Sequence, residues 1–315
     1  MARRGGMIEE GVRSGGAGGY GRGIAYMLAS LVLWVVMNAI IKHAAETFPT
    51  MQILLFRNAV AIPTLLPFMM AAGGVSILAT RRLGWHLLRA SIGITGMTCL
   101  IFGLGALPLS EAITITYAAP LFVTALSVPL LGEKVGVRRW SAVAIGFLGV
   151  LVMMRPGGEI SLAAMVLLFG TLCFAFLVII TRHISKTEHS VAIVFYFSLA
   201  ATAVGAAAMP WFWVTPAGAQ WLMLVVIGVL GGVTQILLAM AIKEAPVSVT
   251  MPLNYLALVF AAGLDIAVWG VWPTATTVAG AALIVATGLF IVYRETDPRT
   301  RARLRAWFTP SGNTP

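Results

Sequence analysis

Charged residues are scarce in this sequence. Only 10% of the 315 residues are Asp, Glu, Lys or Arg, whereas a soluble domain contains about 25% of them. Hydrophobic residues make up 59% of the chain, and the mean hydropathy is +0.94. This balance excludes a soluble globular protein and indicates an integral membrane protein whose helices face lipid.

The residue types that build reactive sites are also few. The two cysteines, Cys99 and Cys173, lie inside apolar runs, so we expect buried thiols and no disulfide framework. The four histidines stand singly, and no HExxH or GxSxG pattern occurs. We therefore expect no metal site, no cofactor and no enzymatic activity. The absence of a GxxxxGK(S/T) loop argues against ATP as the energy source within this chain.

The N-terminal tail lacks an apolar segment. Residues 1–22 are basic and rich in glycine, which predicts a disordered tail and not a cleaved signal peptide. We therefore expect the first hydrophobic segment to remain in the membrane as an anchor.

Ten long apolar runs follow this tail. Their approximate limits are 24–44, 50–71, 84–105, 109–131, 139–155, 161–181, 190–210, 219–242, 247–271 and 275–293. At about 1.5 Å per residue, the fourth run would form about 34 Å of helix, enough to cross the ~30 Å hydrocarbon layer. Lipid offers the backbone no hydrogen-bond partner, so each run is predicted to be helical. The predicted fold is an all-α integral membrane protein with ten transmembrane helices.

The basic residues mark one side of the membrane. Seventeen of the 21 lysines and arginines lie in the tails or in alternate connections, whereas only Lys42 and Arg155 lie in the other connections. Positive charge is retained on the cytoplasmic side, so both termini are predicted to be cytoplasmic. The net charge of +10 therefore reflects topology and does not indicate binding to nucleic acid.

The two halves of the chain resemble each other. A glycine turn at Gly132 follows the fourth run, and Gly270 occupies the same place after the ninth. Five spans per half is an odd number, so the second half must enter from the opposite face, as in the inverted repeats of secondary transporters. The predicted parts are a tail over 1–22, a five-helix repeat over 23–156, an inverted five-helix repeat over 157–294 and a basic cytoplasmic tail over 295–315.

Several motifs carry a resemblance to a known family. They are FRN at 56–58, LLRASIGITGM, AAPLFVTALSVPLLGEKVGVRRW and GFLGVLVMMRPG in the first half, and MPLNYLALVFAAGLDIAVWG and TTVAGAALIVATGLF in the second. With these motifs, residues 22–295 resemble the ten-helix EamA-type members of the drug/metabolite transporter superfamily. The chain departs from the family pattern at Val271, where an acid often follows the glycine, and at Asp265, where a small residue is expected.

The resemblance implies a transporter in the inner membrane. Relatives in this superfamily export amino acids, including aromatic ones, or other metabolites, and some import nucleotide-like molecules or vitamins. A monomer of ten helices suffices to enclose a pathway, and a dimer is the alternative.

Arg57 and Asp265 stand inside apolar runs, where a central charge costs about 2.5–3.5 kcal/mol. Each lies about 10 Å from the outer end of its run at about 1.5 Å per residue. We expect them to share one water-accessible pocket, either paired with each other or holding a zwitterionic substrate. The alternatives are a fixed ion pair, or an Arg57 side chain that reaches the headgroups.

Two other acids are interpreted as structural. Glu111, beside Ser110 at the start of the fourth run, fits a helix-capping residue, with proton coupling as the alternative. Glu133 stands among basic residues in the turn after the fourth run, which indicates an ion pair or a cap.

Neutral polar and aromatic side chains are the other candidates for the transport path. Trp34 and Asn38 lie one helical turn apart and share a face. Pro120 removes a backbone hydrogen bond and is expected to interrupt the fourth helix beside Tyr117. The candidate binding residues are Trp34, Asn38, Arg57, Tyr117, Tyr196, Gln235, Asn254, Tyr255 and Asp265. The alternative role for each neutral residue is hydrogen bonding between helices.

The sequence therefore predicts a secondary transporter that works by alternating access around a midplane cavity. Export of amino acids is the first interpretation, driven by the proton gradient or by the substrate gradient alone. Nucleotide-like, vitamin or drug-like substrates are the alternative. A membrane-embedded enzyme and a passive channel are the non-transporter alternatives.

Overall fold

A computed structural model describes residues 17–71, 73–132, 136–153, 161–185, 187–244 and 250–295. The α-helices are α1 Ala17–Ala44, α2 Thr50–Ala71, α3 Leu83–Ala106, α4 Leu109–Thr116, α5 Ala119–Leu131, α6 Val137–Met153, α7 Leu162–Ile184, α8 Ser190–Phe212, α9 Ala219–Glu244, α10 Leu256–Trp269 and α11 Ala275–Glu295. Short 3₁₀ helices cover Gly74–Leu78 and Met251–Tyr255. The described residues contain no strand, so the all-α prediction is confirmed.

These helices form ten spans. The fourth span consists of α4 and α5, and the ninth consists of the 3₁₀ segment Met251–Tyr255 followed by α10. Seven spans are long and apolar enough to cross a membrane by themselves, and the fifth, ninth and tenth contain shorter apolar helices. The predicted ten-helix architecture is therefore confirmed.

The first helix begins earlier than the sequence predicts. Residues from Ala17 onward belong to α1, although they were expected to lie in the tail. Arg22 forms an ion pair with Glu244 of α9 at 3.3 Å, which ties this end of α1 to the bundle. Glu133, Lys134, Arg155 and the remaining tail residues lie outside the described residues.

The fourth and ninth spans are both interrupted. α4 ends at Thr116 and α5 begins at Ala119, with Pro120 in its first turn, because proline needs no N–H partner at that position. Both spans end in a left-handed glycine, Gly132 and Gly270, each with a φ of 66°. Glycine adopts this conformation without strain. The predicted break and the matching turns are thus confirmed.

The packing of the spans follows a twofold exchange of the two halves. The first span packs on the eighth, and the sixth packs on the third in the same way. The second packs on the seventh, the fourth on the ninth and the fifth on the tenth. Exchanging span n with span n+5 leaves this set of contacts unchanged, as expected for inverted repeats related by a pseudo-twofold axis.

Glycine permits the closest of these contacts. At Gly280 of α11, an added Cβ would lie 2.5 Å from the carbonyl oxygen of Gly149 in α6, and at Gly149 it would lie 2.9 Å from the carbonyl oxygen of Gly280. Neither backbone can retreat from the other without separating the fifth and tenth spans. These glycines therefore serve close helix packing.

The spans end alternately at two faces, because short connections make successive spans antiparallel. We call the face that holds the start of α1 and the end of α11 the termini face, and the other the opposite face. The distribution of basic residues predicts that the termini face is cytoplasmic.

Candidate functional site

Three adjoining cavities lie within the bundle. Their volumes are about 350, 270 and 60 Å³. Gln235 lines all three, and Trp34 and Thr116 line the two larger ones, so the cavities meet at these side chains. The combined space is in the size range of small-molecule sites.

We call these three adjoining cavities together the central cavity, and both halves of the chain contribute to its walls. The first half provides Trp34, Arg57, Arg89, Met97, Thr116 and Tyr117, and the second provides Phe174, Phe197, Gln235 and Asn254. None of the described residues of the fifth or tenth span lines these cavities. The cavity therefore lies between the repeats, where inverted-repeat transporters hold their substrates.

Arg57 reaches this cavity from α2 and is positioned by the third span. Its Nη1 donates to the sulfur of Met97 at 2.7 Å. The neighbouring Asn58 side chain donates to the carbonyl of Leu54 and is 3.6 Å from the same sulfur. A thioether is a weak acceptor, so these contacts orient the guanidinium without neutralising its charge.

Arg89 enters the same cavity from α3, nearer the termini face. Its Nε donates to Oγ1 of Thr181 at 2.8 Å, and its Nη1 donates to the carbonyl of Ile193 at 3.3 Å. The guanidinium also lies over the ring of Phe197, 5.6 Å from the ring centroid. The side chain is therefore fixed between α7 and α8 by neutral groups, with only 9% of the residue exposed.

No described carboxylate forms an ion pair with either arginine. The ion pairs among the described residues are Arg22–Glu244, His43–Glu46 and His86–Glu188. Within this part of the chain there is also no group of three acidic, histidine or cysteine residues that could hold a metal ion. The central cavity is thus a positively charged site with neutral polar and aromatic walls.

Aromatic rings form part of the cavity walls. Trp34, Phe174 and Phe197 line the largest cavity. Tyr117 lines the second cavity, and its ring packs against that of Tyr255 at a centroid distance of 5.1 Å. The same number of positions separates Tyr117 from Tyr255 as separates Gly132 from Gly270, so this pair lies where the two repeats mirror each other.

Five of the nine residues that the sequence proposes for binding line the central cavity, namely Trp34, Arg57, Tyr117, Gln235 and Asn254. Tyr117 also donates its hydroxyl proton to the carbonyl of Asn254 and so links the breaks of the fourth and ninth spans. These residues come together because the first, second, fourth, eighth and ninth spans surround one space.

Three other candidates make structural contacts instead of lining the described cavities. Asn38 is 1% exposed, and its amide donates to the carbonyl of Trp34 within α1. Tyr196 donates to the carbonyl of Leu78 in the connection between α2 and α3. Tyr255 packs its ring against the ring of Tyr117.

Asp265 lies elsewhere, and the expectation that it shares a pocket with Arg57 is wrong for this structure. Its two carboxylate oxygens accept the backbone N–H groups of Leu109 and Ser110 at 2.9 and 2.7 Å. These are the first N–H groups of α4, whose N-cap residue, Pro108, offers no side-chain acceptor. Asp265 therefore caps a helix of the other repeat at the opposite face, with 1% of its surface exposed.

Lys42 lies near Asp265 at the same end of the bundle. Its Nζ donates to the carbonyls of Leu104 and Leu107 at the end of α3 and lies 5.4 Å from the ring centroid of Trp269. Leu104 and Leu109 are fully buried here. Buried apolar side chains and two hydrogen-bonded charges therefore pack together at the opposite-face end of the bundle.

Sequence reasoning overlooked Arg89 as a site residue. The position is six residues after Leu83 at the start of α3, so it resembles the flanking basic residues that set topology. A census would have found it, because Arg57 and Arg89 are the only two of the 21 lysines and arginines that lie deeper than the first or last three residues of an apolar run.

Comparison with known proteins gives consistent matches over nearly the whole chain. The model of the EamA-like transporter family matches residues 21–155 and again residues 161–294. The S-adenosylmethionine uptake transporter of Rickettsia prowazekii (strain Madrid E) is 29% identical over 88% of this chain and 94% of its own length. The pseudopaline exporter CntI of Pseudomonas aeruginosa (strain UCBPP-PA14) is 29% identical over 84% and 93%.

A riboflavin transporter of Vibrio cholerae serotype O1 (strain ATCC 39315 / El Tor Inaba N16961) is 28% identical over 90% of this chain and 96% of its own length. One solved crystal structure superposes with a TM-score of 0.62 at 20% identity and covers 87% of this chain. That similarity shows the fold alone.

Proposed function

Because this chain belongs to the EamA-like transporter family, we propose that it carries a small metabolite with a heterocyclic part, nucleotide-like or vitamin-like, through the cavity between its two repeats. The observation that carries the proposal is the central cavity itself. It is built by spans of both repeats around Gln235, and its polar groups are set among broad aromatic surfaces.

The names of the relatives favour this substrate class over amino-acid export. The similar proteins from Rickettsia, Pseudomonas and Vibrio are named for S-adenosylmethionine, pseudopaline and riboflavin. Two of these molecules contain a fused heterocycle, which suits stacking against Trp34, Phe174 or Phe197. Amino-acid export remains the second candidate, since the charge of Arg57 also fits a carboxylate.

In this proposal, transport requires the cavity to open alternately to the two faces of the protein. The hydrogen bonds of Asp265 and Lys42 and the buried apolar side chains around them support a state in which the opposite face is closed. Arg89, seven residues into the third span, marks the end of the cavity toward the termini face. The pseudo-twofold exchange of the repeats supplies the second state, in which the termini face closes and the opposite face opens.

We further propose that the chain lies in the inner membrane with both termini in the cytoplasm and that one copy encloses the pathway. The central cavity is lined within one chain, so a monomer would suffice. Reporter fusions at each terminus would test the orientation, because a periplasm-active reporter should remain silent at both ends.

Transport assays in proteoliposomes test the proposal. Radiolabelled S-adenosylmethionine, riboflavin and phenylalanine would be offered with and without an imposed pH gradient. We expect saturable uptake of a heterocyclic compound and at least a tenfold lower rate in Trp34→Ala, since the lost ring is a wall of both larger cavities. Trp211→Ala is the matched control, because Trp211 is 78% exposed on the outside of α8.

The outcomes of the assay distinguish the two proposed substrate classes. Uptake of phenylalanine without uptake of either heterocyclic compound would favour amino-acid transport. No uptake of any of the three compounds would contradict the proposal. Accumulation only under a pH gradient would assign proton coupling, whereas equilibration without it would assign facilitated transport.

A further inference from the structure

The central cavity contains two fixed positive charges. Arg57 and Arg89 come from different spans, α2 and α3, and line the same cavity of about 350 Å³. Arg57 donates to the sulfur of Met97, Arg89 stacks on Phe197, and both of these neighbours also line the cavity. Both arginine side chains therefore line the same cavity.

Among the described residues, no acidic side chain compensates this charge. The described hydrogen bonds of the two arginines go to a thioether, a hydroxyl and a backbone carbonyl, none of which carries a negative charge. No carboxylate is among the described residues that line the three cavities. Two like charges inside a region of low dielectric repel each other and lose hydration, so an anion that enters between them is strongly favoured.

Donor groups also remain for a ligand. The described contacts use Nη1 of Arg57, and Nε and Nη1 of Arg89, so the Nη2 group of each arginine makes no hydrogen bond among the described residues. Guanidinium groups bind carboxylate and phosphate oxygens through pairs of N–H donors. The contacts to Met97, Thr181 and Ile193 hold both groups in place before a substrate arrives.

We propose that the transported substrate carries an anionic group, a carboxylate or a phosphate, and that Arg57 and Arg89 bind this group while the heterocyclic part packs against Trp34 and Phe174. The inference rests on the proposed function and adds the charge of the substrate to it. A positively charged group on the substrate would have only the aromatic faces to contact, because the described lining contains no acid.

Matched ligand pairs test this charge requirement. The full chain in nanodiscs would be titrated with riboflavin and riboflavin 5′-phosphate, with 5′-methylthioadenosine and S-adenosylhomocysteine, and with phenylalaninamide and phenylalanine. The first pair adds a phosphate, the second adds an amino acid with its carboxylate, and the third replaces an amide by a carboxylate. We call the member of each pair that carries the carboxylate or phosphate the anionic member, and we expect it to bind at least tenfold more tightly in at least one pair, which corresponds to about 1.4 kcal/mol.

Substitution of the arginines connects the preference to the proposed residues. Arg57→Gln and Arg89→Gln should each reduce the preference for the anionic member to less than threefold, whereas Arg57→Lys should retain part of it. Arg81→Gln is the matched control, since Arg81 is exposed in the connection before α3 and should leave the preference unchanged. A phosphate-selective and a carboxylate-selective result would both support the proposal and would identify the anion.

Several outcomes would overturn the proposal. Equal binding of the members with and without the carboxylate or phosphate, in every pair, by the unmodified chain would do so, even if a glutamine variant failed to fold. An undiminished preference in both folded glutamine variants would do so as well. Proteoliposome uptake of riboflavin 5′-phosphate at equal rates in Arg57→Gln, Arg89→Gln and the unmodified chain would refute the charge requirement while leaving the proposed transport function intact.

Discussion

Replacing Asp265 by asparagine should destabilise the protein, because this carboxylate is the cap of a helix in the other repeat. The carboxylate accepts hydrogen bonds from Leu109 and Ser110 at 2.9 and 2.7 Å while only 1% of the residue is exposed. Asparagine keeps one acceptor oxygen but directs an NH₂ group at the second N–H. At least one buried N–H would therefore lose its partner.

The structure sets the size of the expected effect. Hydrogen bonds to a charged group contribute about 1.5–3 kcal/mol, and a buried donor left without a partner costs about 1–3 kcal/mol. We therefore expect Asp265→Asn to lower the free energy of unfolding by about 2 kcal/mol. At about 2–4 °C per kcal/mol for a chain of this size class, the unfolding midpoint should fall by about 4–8 °C.

Thermal unfolding of the purified protein in nanodiscs would measure this shift. Ser91→Ala is a suitable control, because the Ser91 hydroxyl is exposed and bonds only to the carbonyl of Leu87 within its own helix. An unchanged midpoint in Asp265→Asn would refute the capping role. If transport were lost at an unchanged midpoint, Asp265 would instead be a substrate or coupling residue, as the sequence pattern first indicated.

Two further substitutions test the packing and the hydrogen bonding around the cavity. Gly280→Ala should lower the yield of folded protein on size-exclusion chromatography, because the new Cβ would lie 2.5 Å from the carbonyl oxygen of Gly149. Gly263→Ala is the control and should be tolerated, because a Cβ at that position meets nothing within 4 Å. Tyr117→Phe should lower the unfolding free energy by about 1 kcal/mol in chemical denaturation, because it removes the hydrogen bond to Asn254 but keeps the ring contact with Tyr255; a loss above about 3 kcal/mol would contradict this interpretation.

The ten spans could be predicted because lipid imposes a simple requirement. A backbone inside hydrocarbon must satisfy its own hydrogen bonds, so every apolar run of sufficient length becomes a helix. The interruption beside Tyr117 was equally accessible, since Pro120 cannot donate a hydrogen bond within a helix. The early start of α1 at Ala17 could not be predicted, because the glycine-rich composition of this segment indicates a tail and not a helix.

The residues that line the central cavity could be predicted only in part. Trp34, Tyr117 and Gln235 were found because polar or aromatic groups stand out in apolar helices. Asp265 was assigned to the wrong neighbours, since depth along a span does not reveal which backbone N–H groups face a side chain. Arg89 was overlooked because a position near the start of a span resembles a flanking charge, and only the packing of α3 against α7 and α8 turns it toward the cavity.

The position of Asp265 also makes the two faces of the protein chemically unequal. In the register fixed by Gly132 and Gly270, the counterpart of Asp265 in the first repeat is Ser127, whose hydroxyl donates to the carbonyl of Thr124 within its own helix. A carboxylate at a helix N-terminus gains from charge and from the helix dipole, whereas a hydroxyl gains neither. The carboxylate that caps α4 at the opposite face therefore has no acidic counterpart at the equivalent position of the first repeat. For alternating access by exchange of the two repeats, this asymmetry predicts that the two end states differ in free energy, and a substrate that drives the exchange must offset that difference by binding more tightly in the less stable state.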